Sequence, residues 1–424
     1  MSKVNKIMAS VLCILLSVTY LPSIHVWADE TPPPIAGEYG IAIDAATGDI
    51  LYNKNADGLA YPASMTKVLT AIILDEKVQD TQMLNVSANA AGQECSCFGL
   101  TAGEQISKKD AMYGLLLLSA NDLAVTIAEN VGGSVEGFAQ LMNDEVKKLG
   151  LKHTHFVTPN GLHDPNHYST PHDIALIMKE ALNHPNVLYA LSTQTIPIHT
   201  SLQDKTIKNK SQVHNQPASA HVIAGKTGFT DQAGNTLVEY LKAGNKEVIA
   251  VVMKTHKIEE YSDIQTMANY AFAHMKTKKI ASKGEVVDIT KINGEKVNLM
   301  APVDIAVGLK NNDNAKLTTK IELASTVGED IKKGQIMANV KVIKNGAIVK
   351  EFPLVTDKAI NAIKTIKKPE SRNTALKKSN GFSGNATILG GIILFFVVFF
   401  SMITLKNGQY RKKKSVNTVQ KNVF

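Results

Sequence analysis

Residues 386–405 form a twenty-residue stretch without a charge, in which only Thr387, Ser401 and Thr404 carry a hydroxyl. At ~1.5 Å per helical residue it reaches ~30 Å, the thickness of a bilayer's hydrocarbon core. The basic run Arg411-Lys412-Lys413-Lys414 follows it, and the positive-inside rule puts such a run in the cytoplasm. A buried core helix is the alternative, but the basic tail after it offers no globular sequence to cover one. The expectation is an exported ectodomain tethered by a transmembrane helix at 386–405. A stalk rich in Ser, Asn, Gly and Lys at 367–385 precedes the helix, and a basic tail at 406–424 follows it.

The charge distribution supports the same reading. The formal net charge is +8, which alone would suggest a nucleic-acid partner. The surplus sits at the ends: Lys3 and Lys6 at the start, and Lys406, Arg411, Lys412, Lys413, Lys414 and Lys421 at the finish, with no acidic residue in either stretch. A neutral body between basic ends does not hold phosphate backbones by bulk charge, so no nucleic-acid partner is expected. Residues 1–28 read as a signal peptide, with Lys3 and Lys6 ahead of an apolar core and Val26-Trp27-Ala28 ending in the small residue that cleavage needs. An uncleaved anchor is the alternative, although the apolar core is short for a span.

Cysteine usage adds little. Cys13 lies in the signal, leaving Cys95 and Cys97 one residue apart. A disulfide across so short a loop is expected to be strained, and half a zinc site would need a second pair that the sequence lacks. The pair is read as two ordinary thiols, with a redox-active or disulfide-linked pair as the alternative.

Along the chain, residues 29–36 are a Pro-rich linker. Tyr39–Asp44 and Asp49–Asn53 alternate around a turn and predict a β-hairpin. Pro62 opens a helix predicted over Ser64–Lys77, followed by helices at Lys108–Leu118, Asp122–Val131, Val135–Leu149 and Pro171–Leu182. Val222–Thr227, Thr236–Lys242 and Glu247–Lys254 read as an antiparallel meander closed by a helix over Ile258–Thr277. Residues 37–281 thus predict an α+β domain with helices packed on an antiparallel sheet. Residues 282–366 hold short strand-like runs (Glu285–Ile289, Val303–Val307, Thr319–Leu323, Ile336–Val342, Ile348–Leu354) between Gly and Asn turns, a small all-β domain.

Three short motifs could carry chemistry. Ser64-Met65-Thr66-Lys67 sets a hydroxyl and an amine at i and i+3, on one helical face with Cβ atoms ~5–6 Å apart. The hydroxyl sits near a helix start, where the macrodipole favours developing negative charge. A neutral lysine can take its proton, yet at the ordinary pKa of ~10.4 only about one lysine in two thousand is neutral at pH 7. Burial or a second cation must lower that pKa. Lys226-Thr227-Gly228 ends a predicted strand. Gly228 admits a close backbone approach, Lys226 and Thr227 suit a carboxylate, and Lys226 is a candidate for the second cation. Taken alone, the tripeptide could be a turn at a strand edge. Ser119-Ala120-Asn121 lies between two apolar helices, where polar groups need partners; a helix N-cap is its plainer role. Ser87-Ala88-Asn89 repeats those letters in a polar loop and is set aside because no apolar run precedes it.

Together the motifs resemble the Ser-x-x-Lys, Ser-Asp-Asn and Lys-Thr-Gly set of penicillin-binding proteins and class A β-lactamases, with Ala120 in the variable middle position of the second. The flanks Tyr61-Pro62-Ala63, Leu117-Leu118, Phe229-Thr230 and the segment Thr158-Pro159-Asn160-Gly161-Leu162-His163-Asp164 are similar to the low-molecular-weight, serine-type D-alanyl-D-alanine carboxypeptidases (peptidase S11-like). The resemblance spans about residues 37–366. It implies a β-lactamase/transpeptidase-like domain with a five-stranded antiparallel sheet, the small all-β domain and membrane attachment. Glu94-Cys95-Ser96-Cys97-Phe98 departs from the small polar residues more usual there. The implied activity is removal of the terminal D-Ala from peptidoglycan pentapeptides ending in D-Ala-D-Ala, which trims cell-wall precursors and limits cross-linking. Ser64 would be the acylated nucleophile and Lys67 its general base. Ser119 would relay a proton, and Asn121 would hold the substrate amide. Lys226, Thr227 and Gly228 would bind substrate, and the backbone N–H groups of Ser64 and Phe229 would stabilise the oxyanion. β-Lactams would acylate Ser64, and no cofactor or metal is called for. The implied location is the membrane of a bacterium, Gram-positive in type, with the catalytic domain outside.

Competing readings are weaker. His153, His155, His163, His167 and His172 invite a zinc site, but Pro165 lies between His163 and His167 and no Glu follows His163, so helical His-Glu-x-x-His geometry fails. Exposed loop histidines are expected instead. A class A β-lactamase would need a Glu-x-x-Leu-Asn segment, which is missing from the chain. A DD-endopeptidase keeps the same chemistry, and an inert wall-binding protein would not need the three motifs.

Overall fold

The computed structural model describes residues 31–94, 96–211, 221–292, 295–324, 330–360 and 372–375. The expected signal peptide, transmembrane helix and cytoplasmic tail lie outside the described residues, as does Cys95. Among the described residues no helix is long and apolar enough to cross a membrane.

The first part of the chain contains strands β1 (Tyr39–Asp44), β2 (Ile50–Lys54), β3 (Met83–Asn85), β4 (Gln105–Ser107), β5 (Thr195–His199), β6 (Asp204–Lys208), β7 (His221–Thr230), β8 (Gly234–Ala243) and β9 (Lys246–Thr255). Five of them form an antiparallel sheet in the order β2-β1-β9-β8-β7. Successive strand residues point to opposite faces, and β9 shows what that does to a sheet covered on both sides. Ile249, Val251 and Met253 join a core that includes Leu69 and Ile72, whereas Val248, Ala250 and Val252 pack with Ile264, Met267, Ala268 and Ala271 of the helix Glu259–Ala273. Six consecutive residues of β9, Val248–Met253, are therefore buried.

On the first face the helix Lys67–Lys77 is buried continuously from Lys67 to Leu74. The helices Lys108–Leu117, Asn121–Gly132, Val135–Lys148, Pro171–Ala181 and Pro185–Ser192 surround it or flank the sheet. Three of them begin at side-chain caps (Ser107, Ser134 and Thr170) that each accept a backbone N–H three residues on. Strand β7 is the sheet's edge and runs past the turn that precedes Lys67.

The second part contains β10 (Met275–Ala281), β11 (Val286–Ile292), β12 (Glu295–Met300), β13 (Ile305–Lys310), β14 (Leu317–Leu323), β15 (Ile336–Lys344), β16 (Ala347–Thr356) and β17 (Arg372–Ala375). β10 pairs with β13, and the other six form one sheet in the order β11-β12-β16-β15-β14-β17. Polar contacts join the two parts: Lys344 bridges Asp49 and Asp313, and Lys350 pairs with Glu247.

Four expectations need correction. The closing helix ends at Ala273 rather than Thr277, because Met275–Ala281 finds a strand partner in Ile305–Lys310. The α-helix expected from Ser64 begins at Lys67, preceded by a 3-10 turn over Ala63–Thr66. Within the expected stalk, Arg372–Ala375 add to the open edge of β14, whose unpaired backbone groups favour a further strand. Cys97 carries a disulfide bond instead of a free thiol. Its partner lies outside the described residues.

Candidate active site

The turn that carries Ser64 is shaped by backbone constraints on both sides. Ala63 adopts a left-handed conformation (φ 48°), uncommon for a residue with a Cβ and often retained at functional sites. Gly228 of β7 lies against this turn, where a Cβ would meet the Ser64 backbone nitrogen at 2.8 Å and Thr236 Oγ1 at 2.5 Å. Gly161 lies on another side with φ 79°, and a Cβ there would be 1.9 Å from the Ala63 carbonyl oxygen. The two glycines let separate segments close on the serine turn.

Lys67 is fully buried and its ammonium nitrogen reaches three oxygens. Nζ lies 2.8 Å from Ser64 Oγ, 2.9 Å from Asn121 Oδ1 and 2.6 Å from the Asn160 carbonyl. Asn121 Nδ2 donates to the Glu94 carbonyl at 2.7 Å, which fixes the amide with its oxygen toward Lys67. A neutral amine has two N–H bonds and one lone pair. The carbonyl of Asn160 and the amide oxygen of Asn121 can only accept, so they take both N–H bonds. The lone pair is left for the Ser64 hydroxyl.

Burial is the main reason that the Lys67 pKa lies well below its ordinary value, and the positive charges of Lys226 and Lys210 push it the same way. Lys226 is itself lowered to about 7, by burial first and then by Lys210. It donates to Ser119 Oγ at 2.9 Å and to the Thr227 carbonyl at 2.8 Å. Ser119 holds a left-handed conformation (φ 60°) just after the helix Lys108–Leu117. It does not cap the next helix; Ala120 occupies that position without a side-chain bond.

Ser64, Lys67 and Asn121 thus share one network, Ser119 and Lys226 a second, and the two lysine charges couple them. Thr227 is partly exposed beside them, and the Phe229 side chain is 60% exposed. The decoy motif is elsewhere: Ser87 caps a short helix by accepting from Ala90 N, and Asn89 bonds to Glu129.

Two contributors were not singled out from sequence. One is the Asn160 carbonyl, a main-chain group whose only signal was the Thr158–Gly161 turn. The other is His167. It was expected to be an exposed loop histidine, but it is 2% exposed and bonded to Thr66 of the serine turn. Its neighbours His153, His155 and His163 are exposed. Among the described residues no group of side chains is arranged to hold a metal.

A family model described as D-alanyl-D-alanine carboxypeptidase matches residues 27–257, and one described as the C-terminal domain of penicillin-binding protein 5 matches residues 276–362. D-alanyl-D-alanine carboxypeptidase DacF of Bacillus subtilis is 28% identical over 367 residues, which is 82% of this chain and 93% of that protein. DacA of Haemophilus influenzae is 30% identical over 334 residues, 73% of this chain and 81% of its own. The solved structure of penicillin binding protein 5 from Haemophilus influenzae superposes with a TM-score of 0.56 at 27% identity, covering 78% of this chain and 99% of that one.

Proposed function

The chain belongs to the D-alanyl-D-alanine carboxypeptidase family, and from that premise we infer that it removes the terminal D-Ala of peptidoglycan stem peptides through an acyl-enzyme on Ser64. The observation that carries the chemistry is the set of partners at Lys67 Nζ, which directs a lone pair at the Ser64 hydroxyl.

In this reading Ser64 Oγ attacks the carbonyl of the penultimate D-Ala while Lys67 accepts the hydroxyl proton. The backbone N–H groups of Ser64 and Phe229 stabilise the oxyanion. The Lys226 ammonium and the Thr227 hydroxyl anchor the terminal carboxylate, with Gly228 allowing the peptide to lie close to β7. Ser119, already bonded to Lys226, passes a proton to the departing D-Ala nitrogen, and Asn121 holds the substrate amide. Water then attacks the ester, with Lys67 again taking a proton, and Ser64 is restored. A β-lactam presents the same carbonyl and carboxylate pairing, so it acylates Ser64 as well.

The address follows from the sequence. Residues 1–28 direct export, and 386–405 tether the protein by a single span. The catalytic part then faces outward from the membrane of a bacterium with a thick wall, and the activity limits cross-linking there.

Mass spectrometry of products from purified peptidoglycan tests the activity. Loss of one D-Ala from pentapeptides is expected. Cleaved cross-links would instead identify an endopeptidase, and unchanged peptidoglycan would overturn the reading.

A further inference from the structure

The functional reading leaves one buried titratable group beside the serine turn without a task. His167 is 2% exposed, and its ring nitrogens face two different segments.

Its Nδ1 accepts the backbone N–H groups of Val157 (3.1 Å) and Thr158 (3.2 Å). A ring nitrogen that accepts carries no hydrogen, so the proton of the neutral imidazole is on Nε2. Nε2 lies 2.9 Å from Thr66 Oγ1 and donates to it. One face of the ring packs near Phe156, with centroids 5.1 Å apart.

The two segments joined by this ring are those that meet at Lys67. Thr66 belongs to the turn Ala63–Thr66 that presents Ser64. Val157 and Thr158 begin the loop whose Asn160 carbonyl accepts from Lys67 Nζ. Other bonds hold the loop's shape: Gly161 N donates to Thr158 Oγ1, and Thr70 Oγ1 donates to the Pro159 carbonyl. Resting on the functional reading above, we propose that His167 is a positioning residue, whose neutral imidazole holds the Asn160 carbonyl in register with Lys67 and so aims the Lys67 lone pair at Ser64.

The charged and titratable groups around the ring are Asp164, His155, Lys67 and His163. Burial outweighs the attraction of Asp164 and lowers His167 to about 3, so the ring stays neutral across the working range. Its effect on pH dependence therefore runs through Lys67. A carbonyl that accepts from Lys67 favours the ammonium. Losing that contact lowers the Lys67 pKa further, and the acid limb of the rate profile moves to lower pH while the plateau falls.

The test uses the full-length protein in detergent, unsubstituted and as His167→Ala, His167→Gln and His167→Met. Acylation of Ser64 by a fluorescent penicillin is followed against pH, and melting temperature is measured in parallel. His167→Ala should acylate about a hundredfold more slowly, with its acid limb at lower pH. Gln offers an oxygen to the two N–H groups and an N–H to Thr66, so it should recover most of the rate; Met matches it in length but offers neither and should not. A normal rate in His167→Ala, a slow rate with an unmoved limb, or equal rates in the Gln and Met variants would overturn the proposal. If His167→Ala does not fold, the Gln and Met pair decides. Failure of the unsubstituted protein both to acylate and to release D-Ala would sink the functional reading instead, and is established first.

Discussion

Gly228 and Ser64 stand so close that a single methyl group would collide with the serine's own backbone: a Cβ at residue 228 would be 2.8 Å from Ser64 N. The same Cβ would meet Thr236 Oγ1 at 2.5 Å, and that hydroxyl is committed to the Pro62 carbonyl. The strand and the serine turn must part to admit alanine. Gly228→Ala should lower acylation about a hundredfold, the scale of an ~1 Å misplacement. Adding Thr236→Ala removes one clash and leaves the backbone one, so it should not restore the rate. Penicillin labelling checks both variants; near-normal labelling of Gly228→Ala would show that the close approach is dispensable.

Much of this site was legible because Ser64, Lys67, Ser119, Asn121 and Lys226 sit in short motifs whose letters name the side chains that the fold brings together. The Asn160 carbonyl was not, since any residue supplies one and only the folded loop aims it. His167 was misread because its neighbours Pro165 and Asn166 mark an exposed turn, while the ring itself turns inward to Thr66. In the fold, long periodic helices and the meander were readable to within a few residues. The start of Met275–Ala281, as far as Thr277, was absorbed into the helix before it, because its partner Ile305–Lys310 is distant in sequence. Arg372–Ala375 was hidden likewise among stalk-like residues.

The Lys226 anchor should titrate near neutrality. Burial and the Lys210 charge lower it to about 7, and only its protonated form attracts a carboxylate. The free protein therefore loses its anchor as pH rises through about 7. A bound carboxylate raises the pKa again, so KM for a stem peptide should climb above neutrality while kcat holds to higher pH. Steady-state kinetics across that range measure the split. A KM that stays flat well into alkaline pH would remove Lys226 as a titrating anchor.

Asn121 offers a test with the opposite sign to His167→Ala. Its Oδ1 accepts from Lys67 and its Nδ2 donates to Glu94. Asn121→Asp sets a negative charge against Lys67 Nζ, which favours the ammonium and should raise the Lys67 pKa. Acylation at neutral pH should fall, and the acid limb should move upward in pH. The pH profile of penicillin acylation reads the direction; a downward shift would contradict the arrangement around Lys67.

Glu239 predicts a stability effect away from the reacting groups. It is 2% exposed in the middle of β8, and its Oε1 has no hydrogen-bond partner among the described residues. Burial raises its pKa from 4.5 to about 8. The folded state thus holds a proton that the unfolded chain releases above about 4.5, so stability falls as pH rises from about 4.5 to about 8 and then levels off. Glu239→Gln has no proton to lose. Its advantage over the unsubstituted protein should be small at about pH 4, grow through that window, and reach the order of 5 kcal/mol above it. Melting temperatures of the two proteins across that range check the sign, and a constant difference at every pH would mean that Glu239 does not titrate between the folded and unfolded states.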